Sequence, residues 1–322
     1  MRWAYIWAVL NATVIGLSFM LIKQTLDFAD PLDTLAYRFA AAFAILIVPA
    51  AFRWIRVSYK GKPLWPLLLL SSFYPLGYFT LQAFGMRNVT SAESGMISAL
   101  SPIATLLLAT LFLKEKTTLL QRASLLVSVG GLAFIFAMSG GLDGAHAAGM
   151  ALLLLACFAL AGYNVLARVV TKRFGAAEIS FFMIGAAGVS FAAIAVAGHA
   201  LDGSLGELAA PLANGEFVAL IAGLGAIQIA TSLMANYILS KMEASRMSVF
   251  AHLSTVVSIA SGALFLHEAV EWYHLVGSAL IIAGVVGTNR AKRRTTAPSQ
   301  PSRERKPITS AYEVSGRAEQ RL

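Results

Sequence analysis

With 322 residues, 58% of them hydrophobic and only 13% charged, this chain has more apolar surface than a water-soluble fold can bury, which places it in a membrane. Its formal charge of +9 is gathered in a few loops and a tail, the pattern of positive-inside topology and not of a nucleic-acid-binding face. The single cysteine, Cys157, excludes an intrachain disulfide framework and any cysteine-built metal centre.

Apolar runs of about 20 residues match a hydrocarbon core about 30 Å thick and predict ten membrane-spanning helices. In chain order they fall at about 3–23, 32–52, 64–84, 91–113, 118–138, 148–167, 177–198, 216–239, 244–265 and 270–289. Arg2 is the only charge before the first run and no small-residue cleavage site follows it, so the first run is expected to stay as a helix. Alternate loops differ sharply in charge. One side receives Arg53, Arg56, Lys60 and Lys62, then Lys114, Lys116 and Arg122, then Arg168, Lys172 and Arg173, then Lys241 and Arg246. The other receives Lys23 and Arg87 with most of the loop aspartates. Both termini are therefore expected in the cytoplasm. Residues 291–322, with eight Lys/Arg against three Glu and few apolar side chains, read as a disordered basic tail.

A repeat organises the spans. Ser91–Glu115 returns at Ala244–Glu268 with a shift of 153 residues, pairing Leu100-Ser101 with Leu253-Ser254 and Leu111-Phe112-Leu113-x-Glu115 with Leu264-Phe265-Leu266-x-Glu268. Gly131 and Gly284 correspond in the apolar runs that follow. The chain thus divides into a first repeat at 1–140 and a second at 147–290. Five spans per repeat is an odd number, so the second inserts with the opposite topology. In such transporters the solute site lies near the midplane where the repeats meet.

Polar side chains within spans should face the bundle interior, because lipid offers them no partner. In chain order the candidates for a solute path are Asn11, Tyr74, Tyr78, Gln82, Ser98, Asn164, Gln228, Ser232, Asn236 and His252. Each has a plainer reading. A serine in a membrane helix usually bonds its own backbone or packs a neighbour, and an amide can serve one interhelical hydrogen bond. A deep tyrosine needs only a partner for its hydroxyl. His252 is the one histidine well inside a span: held neutral it is structural, exposed to the path it could couple transport to protons. Arg38 lies about two turns into the second span and is expected to snorkel outward to Asp27, Asp30 or Asp33. Glu93, near the start of the fourth span, is expected to cap its helix or meet Arg87. Pro75 and Pro102 predict kinks in the third and fourth spans. Spans five and ten are nearly all Leu, Val, Ile, Ala and Gly, as peripheral helices or a homodimer contact would be.

No Asp or Glu lies in the middle third of any predicted span, which argues against a pump for hydrophobic cations. No cluster of Lys and Arg occurs there for a phosphate ester, and no phosphate-binding loop, zinc-ligand spacing or Ser/His/Asp set appears. An enzyme and a bound cofactor or metal are therefore not expected. A cavity of amides, hydroxyls and aromatic rings suits a small neutral or zwitterionic solute. The alternative is a non-transporting membrane subunit or scaffold, which needs no wet interior.

The two five-span halves, Ser101-Pro102 in a Ser/Ala-rich fourth span, and Leu-Phe-Leu-x-Glu closing spans four and nine resemble the EamA family of the drug/metabolite transporter superfamily over about residues 5–290. The resemblance implies a multi-pass protein of the bacterial inner membrane that exports amino acids and related metabolites by alternating access. It implies a central cavity lined from both halves, with the fifth helix of each half outside. One departure is Thr255, which stands where the first half has Pro102.

Overall fold

The computed structural model describes residues 2–52, 57–112, 118–138, 144–241 and 244–296, and among these every regular element is helical. The helices are α1 (Arg2–Thr25), α2 (Pro31–Ala51), α3 (Trp65–Ser71), α4 (Tyr78–Gly85), α5 (Ser91–Ser98), α6 (Ser101–Phe112), α7 (Leu119–Met138), α8 (Gly144–Val170), α9 (Ala176–Leu201), α10 (Gly215–Lys241), α11 (Ala244–Phe265) and α12 (Trp272–Thr296). Eight segments among the described residues are long and apolar enough to cross a membrane, and shorter apolar stretches occur at His252–Phe265 in α11 and Trp272–Gly287 in α12. Glu115 and residues 297–322 of the predicted tail lie outside the described residues. Helix α12 itself runs on to Thr296, several residues into the stretch expected to be disordered. Ala291, Lys292, Arg293 and Arg294 are good helix formers, and cations suit a helix C-terminus.

Local sequence explains where the helices start and break. Pro31 occupies the first turn of α2, where its missing N–H costs nothing, after extended Asp30. Thr90 and Glu93 form a reciprocal capping box at the start of α5. The third predicted span is three pieces: α3, a wider-wound turn at Ser72–Gly77, and α4, with Tyr74 at non-helical φ −148°, ψ 124° beside Pro75. Proline has no N–H to give the preceding turn and disfavours helical backbone in the residue before it, so the break falls there. The fourth span likewise divides into α5 and α6 just before Pro102. In α11, with Thr255 at the corresponding place, the helix is unbroken.

Contacts between the halves come in exchangeable sets. Helix α2 packs on α9, α7 on α12 and α5 on α11, each pair uniting corresponding parts of the two predicted repeats. The contacts of α1 with α10 and α11 are matched by those of α8 with α4 and α6. The α7–α12 contact is built on small residues. Gly131 lies against the Gly277 carbonyl, Gly284 against Ser124 and Ser128, and a Cβ added at either glycine would collide with the opposite helix. Buried Ser128 donates to the Ile281 carbonyl across this seam at 3.0 Å. A second core, centred on Phe39, Phe79 and Phe191, holds α2, α4 and α9 together.

Candidate functional site

The break at Tyr74 gives that residue a backbone no helix would give it and sends two tyrosines of one span toward the same neighbours. The Tyr74 ring lies 5.4 Å from Tyr78 and 5.1 Å from Tyr163 of α8, centroid to centroid. Gln82 donates from Nε2 to the Tyr78 hydroxyl at 3.0 Å. From α10, Gln228 donates from Nε2 to the Tyr74 hydroxyl at 3.3 Å. Tyr74, Tyr78, Gln82 and Gln228 are thus brought together. Gln82 is buried, whereas Tyr74, Tyr78 and Gln228 keep part of their surface accessible.

Arg38 completes this group, against expectation. Its Nη2 donates to Gln228 Oε1 at 3.1 Å, and the guanidinium stands 4.4 Å from the centroid of Phe79 and 5.9 Å from that of Phe39. The residue is 4% exposed. It does not snorkel to the aspartates: Asp30 pairs with Arg87 at 2.9 Å and Asp33 with His199 at 3.0 Å. No carboxylate pairs with Arg38 among the described residues, and its Nε has no hydrogen-bond acceptor. Two aromatic faces and one amide oxygen are its neighbours instead of a carboxylate. A charge so placed costs about 2.5–3.5 kcal/mol near the centre of a span.

The other predicted residues fall around this centre. Asn164 of α8 donates to Thr105 of α6 at 3.3 Å, a link between helices. Ser98, half-buried at the end of α5, stands beside the Tyr78 hydroxyl. Ser232 is half-buried, one turn beyond Gln228 on α10. The side chain of Asn236 lies outside the described residues. Asn11 lies on α1 and His252 on α11, two helices that pack together where Gly16 seats against Ser254 and Val257. Both are buried, and Asn11 Oδ1 and both His252 ring nitrogens have no hydrogen-bond partner. No described hydrogen bond joins them to Arg38. Further hydroxyl residues of the spans take the plain role: Ser18, Thr105 and Thr231 each donate to a carbonyl of their own helix, and Ser101, at the start of α6, donates to the Ser98 carbonyl at the end of α5.

Two ionic knots close opposite ends of the bundle. At one end Glu93 is held by Thr90 and by His146 at 3.1 Å, with His274 Nε2 nearby at 3.7 Å, beyond hydrogen-bond distance. Beside it Glu268 accepts from the Ser91 N–H at 2.7 Å, the Ser91 hydroxyl at 2.8 Å and the Ala92 N–H at 3.1 Å, so a carboxylate of the second half sits on the first turn of α5. At the other end Glu178 accepts from Lys62 at 2.7 Å, Gly175 at 2.9 Å and Ser58 at 3.2 Å. The Tyr59 hydroxyl donates to the Glu178 carbonyl at 2.7 Å. Burial, reinforced by the Glu178 charge, pushes the Tyr59 phenol up to about 12, so it remains a donor. Of these groups the sequence reading gave a contact role to Glu93, as a helix cap or a partner of Arg87; the cap is formed with Thr90. Arg87, its other expected partner, is taken by Asp30.

A recess among the described residues lies elsewhere. About 620 Å³ in volume, it lies between α6, α7 and α8 among leucines such as Leu107 and Leu111, with Gln121 and Arg122 at its edge. None of the predicted path residues lines it. Among the described residues no three His, Cys, Asp or Glu side chains are grouped to hold a metal.

The sequence signature of the EamA-like transporter family matches residues 2–137 and, a second time, residues 147–290. The chain belongs to the EamA-like transporter family. Family membership makes it a multi-pass membrane transporter rather than an enzyme. An uncharacterized transporter of Bacillus subtilis (strain 168), YcxC, is 40% identical over 304 residues, covering 94% of this chain and 97% of that one. A second uncharacterized transporter, from Archaeoglobus fulgidus, is 26% identical over 285 residues, covering 87% and 96%. A solved crystal structure aligns with 89% of this EamA-family chain and 99% of its own at a TM-score of 0.56 and 18% identity, a likeness of fold alone.

Proposed function

We infer that this EamA-family protein is a secondary transporter that exports amino acids or related small neutral or zwitterionic metabolites across the bacterial inner membrane. Ten spans, arranged as two inverted five-helix repeats with both termini in the cytoplasm, rock about a central site in alternating access. The observation that carries this reading is the hydrogen-bonded chain from Arg38 through Gln228 to Tyr74, which ties α2 and the broken third span to α10 near mid-span. The family signature occurring once in each half, and the exchangeable contacts between halves, support the repeat. Gln82, Gln228 and Asn236 bind the solute's polar ends, Tyr74 and Tyr78 pack over its body, and Asn11, Ser98, Asn164 and Ser232 line the approach. The knot at Lys62 lies on the cytoplasmic side and that at Glu93 on the other. The outward faces of α7 and α12 form the homodimer contact.

Reconstitution into proteoliposomes tests the reading. Labelled amino acids trapped inside should exchange with external solute, and single cysteines at Gln228, Ser232 and Asn236, in a Cys157→Ala background, should react with a water-soluble thiol reagent. Absence of both exchange and labelling would refute it. His252 is buried with neither ring nitrogen bonded, which suits a group that exchanges protons during the cycle. His252→Gln is expected to flatten the dependence of flux on pH between about 5 and 8. An unchanged profile removes His252 from coupling.

A further inference from the structure

We propose that Arg38 is the carboxylate-binding residue of the central site, and that the transported solute is recognised by a carboxylate on a small, partly apolar body. This rests on the transport reading and narrows its substrate class. Arg38 lies seven residues beyond Pro31, about 10 Å along the helix axis from the start of α2. It is buried there, with the aspartates at the end of its own helix already engaged by Arg87 and His199.

The groups packed around the guanidinium are neutral. Phe79 and Phe39 lie against it, Gln228 turns its oxygen toward it, and the Tyr74 and Tyr78 hydroxyls stand nearby. Gln228 is fixed in that sense because its NH₂ is donated to Tyr74. The Tyr74 oxygen therefore accepts from Gln228 and has its own proton to give, while Arg38 Nε has a proton and no acceptor. Unspent guanidinium and phenol protons above an aromatic floor are the donor set that an anion would engage. A guanidinium fork matches the two oxygens of a carboxylate in plane.

Charge balance selects among anions. One buried arginine neutralises one negative charge, and no second cation hydrogen-bonds within this group among the described residues. A phosphate ester, with nearly two charges, would stay under-neutralised. The rings of Phe79, Tyr74 and Tyr163 offer an apolar surface that a bare inorganic ion would leave unused. Among the described residues no carboxylate pairs with Arg38 or stands beside it to bind an ammonium group. The acid end is the recognised end, and a 2-oxo acid should serve as well as the matching amino acid.

Full-length protein in proteoliposomes decides the matter with threonine, leucine and phenylalanine, their carboxamides and their 2-oxo acids. Wild type is expected to carry at least one acid, its 2-oxo acid within a few-fold, and its amide at least about ten-fold more slowly, since a buried guanidinium left unpaired penalises the neutral analogue. R38Q is expected to lose acid transport about ten-fold or more while remaining monodisperse in detergent with a thermal midpoint no lower than wild type, because it removes an unpaired buried charge. R38K retains the charge without the fork, and a raised KM for the acid is expected. It also serves as the test if R38Q does not fold. Acid and amide carried alike, or unaltered acid transport in R38Q or R38K, overturns the assignment of Arg38 and leaves transport standing. Wild type carrying no member of the panel overturns the transport reading and this proposal together.

Discussion

The α7–α12 seam and the Arg38 centre both bury polar side chains, and they treat them in opposite ways. In the seam the buried groups are small, and Ser128 finds a carbonyl on the facing helix at 3.0 Å. Glycines bring the backbones so close that no side chain could intervene. At the centre the groups are large, come from helices far apart in sequence, and are left partly unsatisfied, as with Arg38 Nε. A contact meant to stay shut satisfies its donors within the protein. The proposed solute site is expected to keep donors in reserve, as Arg38 Nε does.

Substitutions can break or sharpen this contrast. The largest effect is expected from Gly284→Val, whose side chain would run into Ser124 and Ser128. Overpacking costs about 1–3 kcal/mol when neighbours can yield and more against a backbone, so little folded protein should survive detergent extraction. Gln228→Ala is expected to reverse the pattern: flux falls about ten-fold, a change of about 1.4 kcal/mol, while the thermal midpoint moves little. Equal loss of flux and stability would make Gln228 a packing residue. The smallest effect is expected from Ser128→Ala, which removes one neutral hydrogen bond worth about 0.5–1.5 kcal/mol and should lower the midpoint without altering KM.

The spans were legible because apolar length and loop charge are local properties, and eight of the expected segments recur among the described helices. The convergence of Tyr74, Tyr78, Gln82 and Gln228 followed from the lack of partners in lipid, which drives such groups inward wherever the helices go. Arg38 was misjudged because its nearest aspartates in sequence are only a few residues away, whereas its actual partner Gln228 is 190 residues distant. The same distance hid Glu268, whose bonds to Ser91 span 177 residues. His146 and His274 meet Glu93 through the fold alone, while Thr90 and Glu93 could be read directly as a helix cap.

On the alternating-access reading proposed above, Glu268 bears on how its end of the bundle would open. Its single carboxylate holds two backbone N–H groups and a hydroxyl at the head of α5, stitching the last two helices of the chain to the fourth span. Three donors on one anion cannot be peeled away one by one without stranding the rest. On that reading this end of the bundle should part in a single cooperative step, like a snap fastener and not a hinge that drifts ajar.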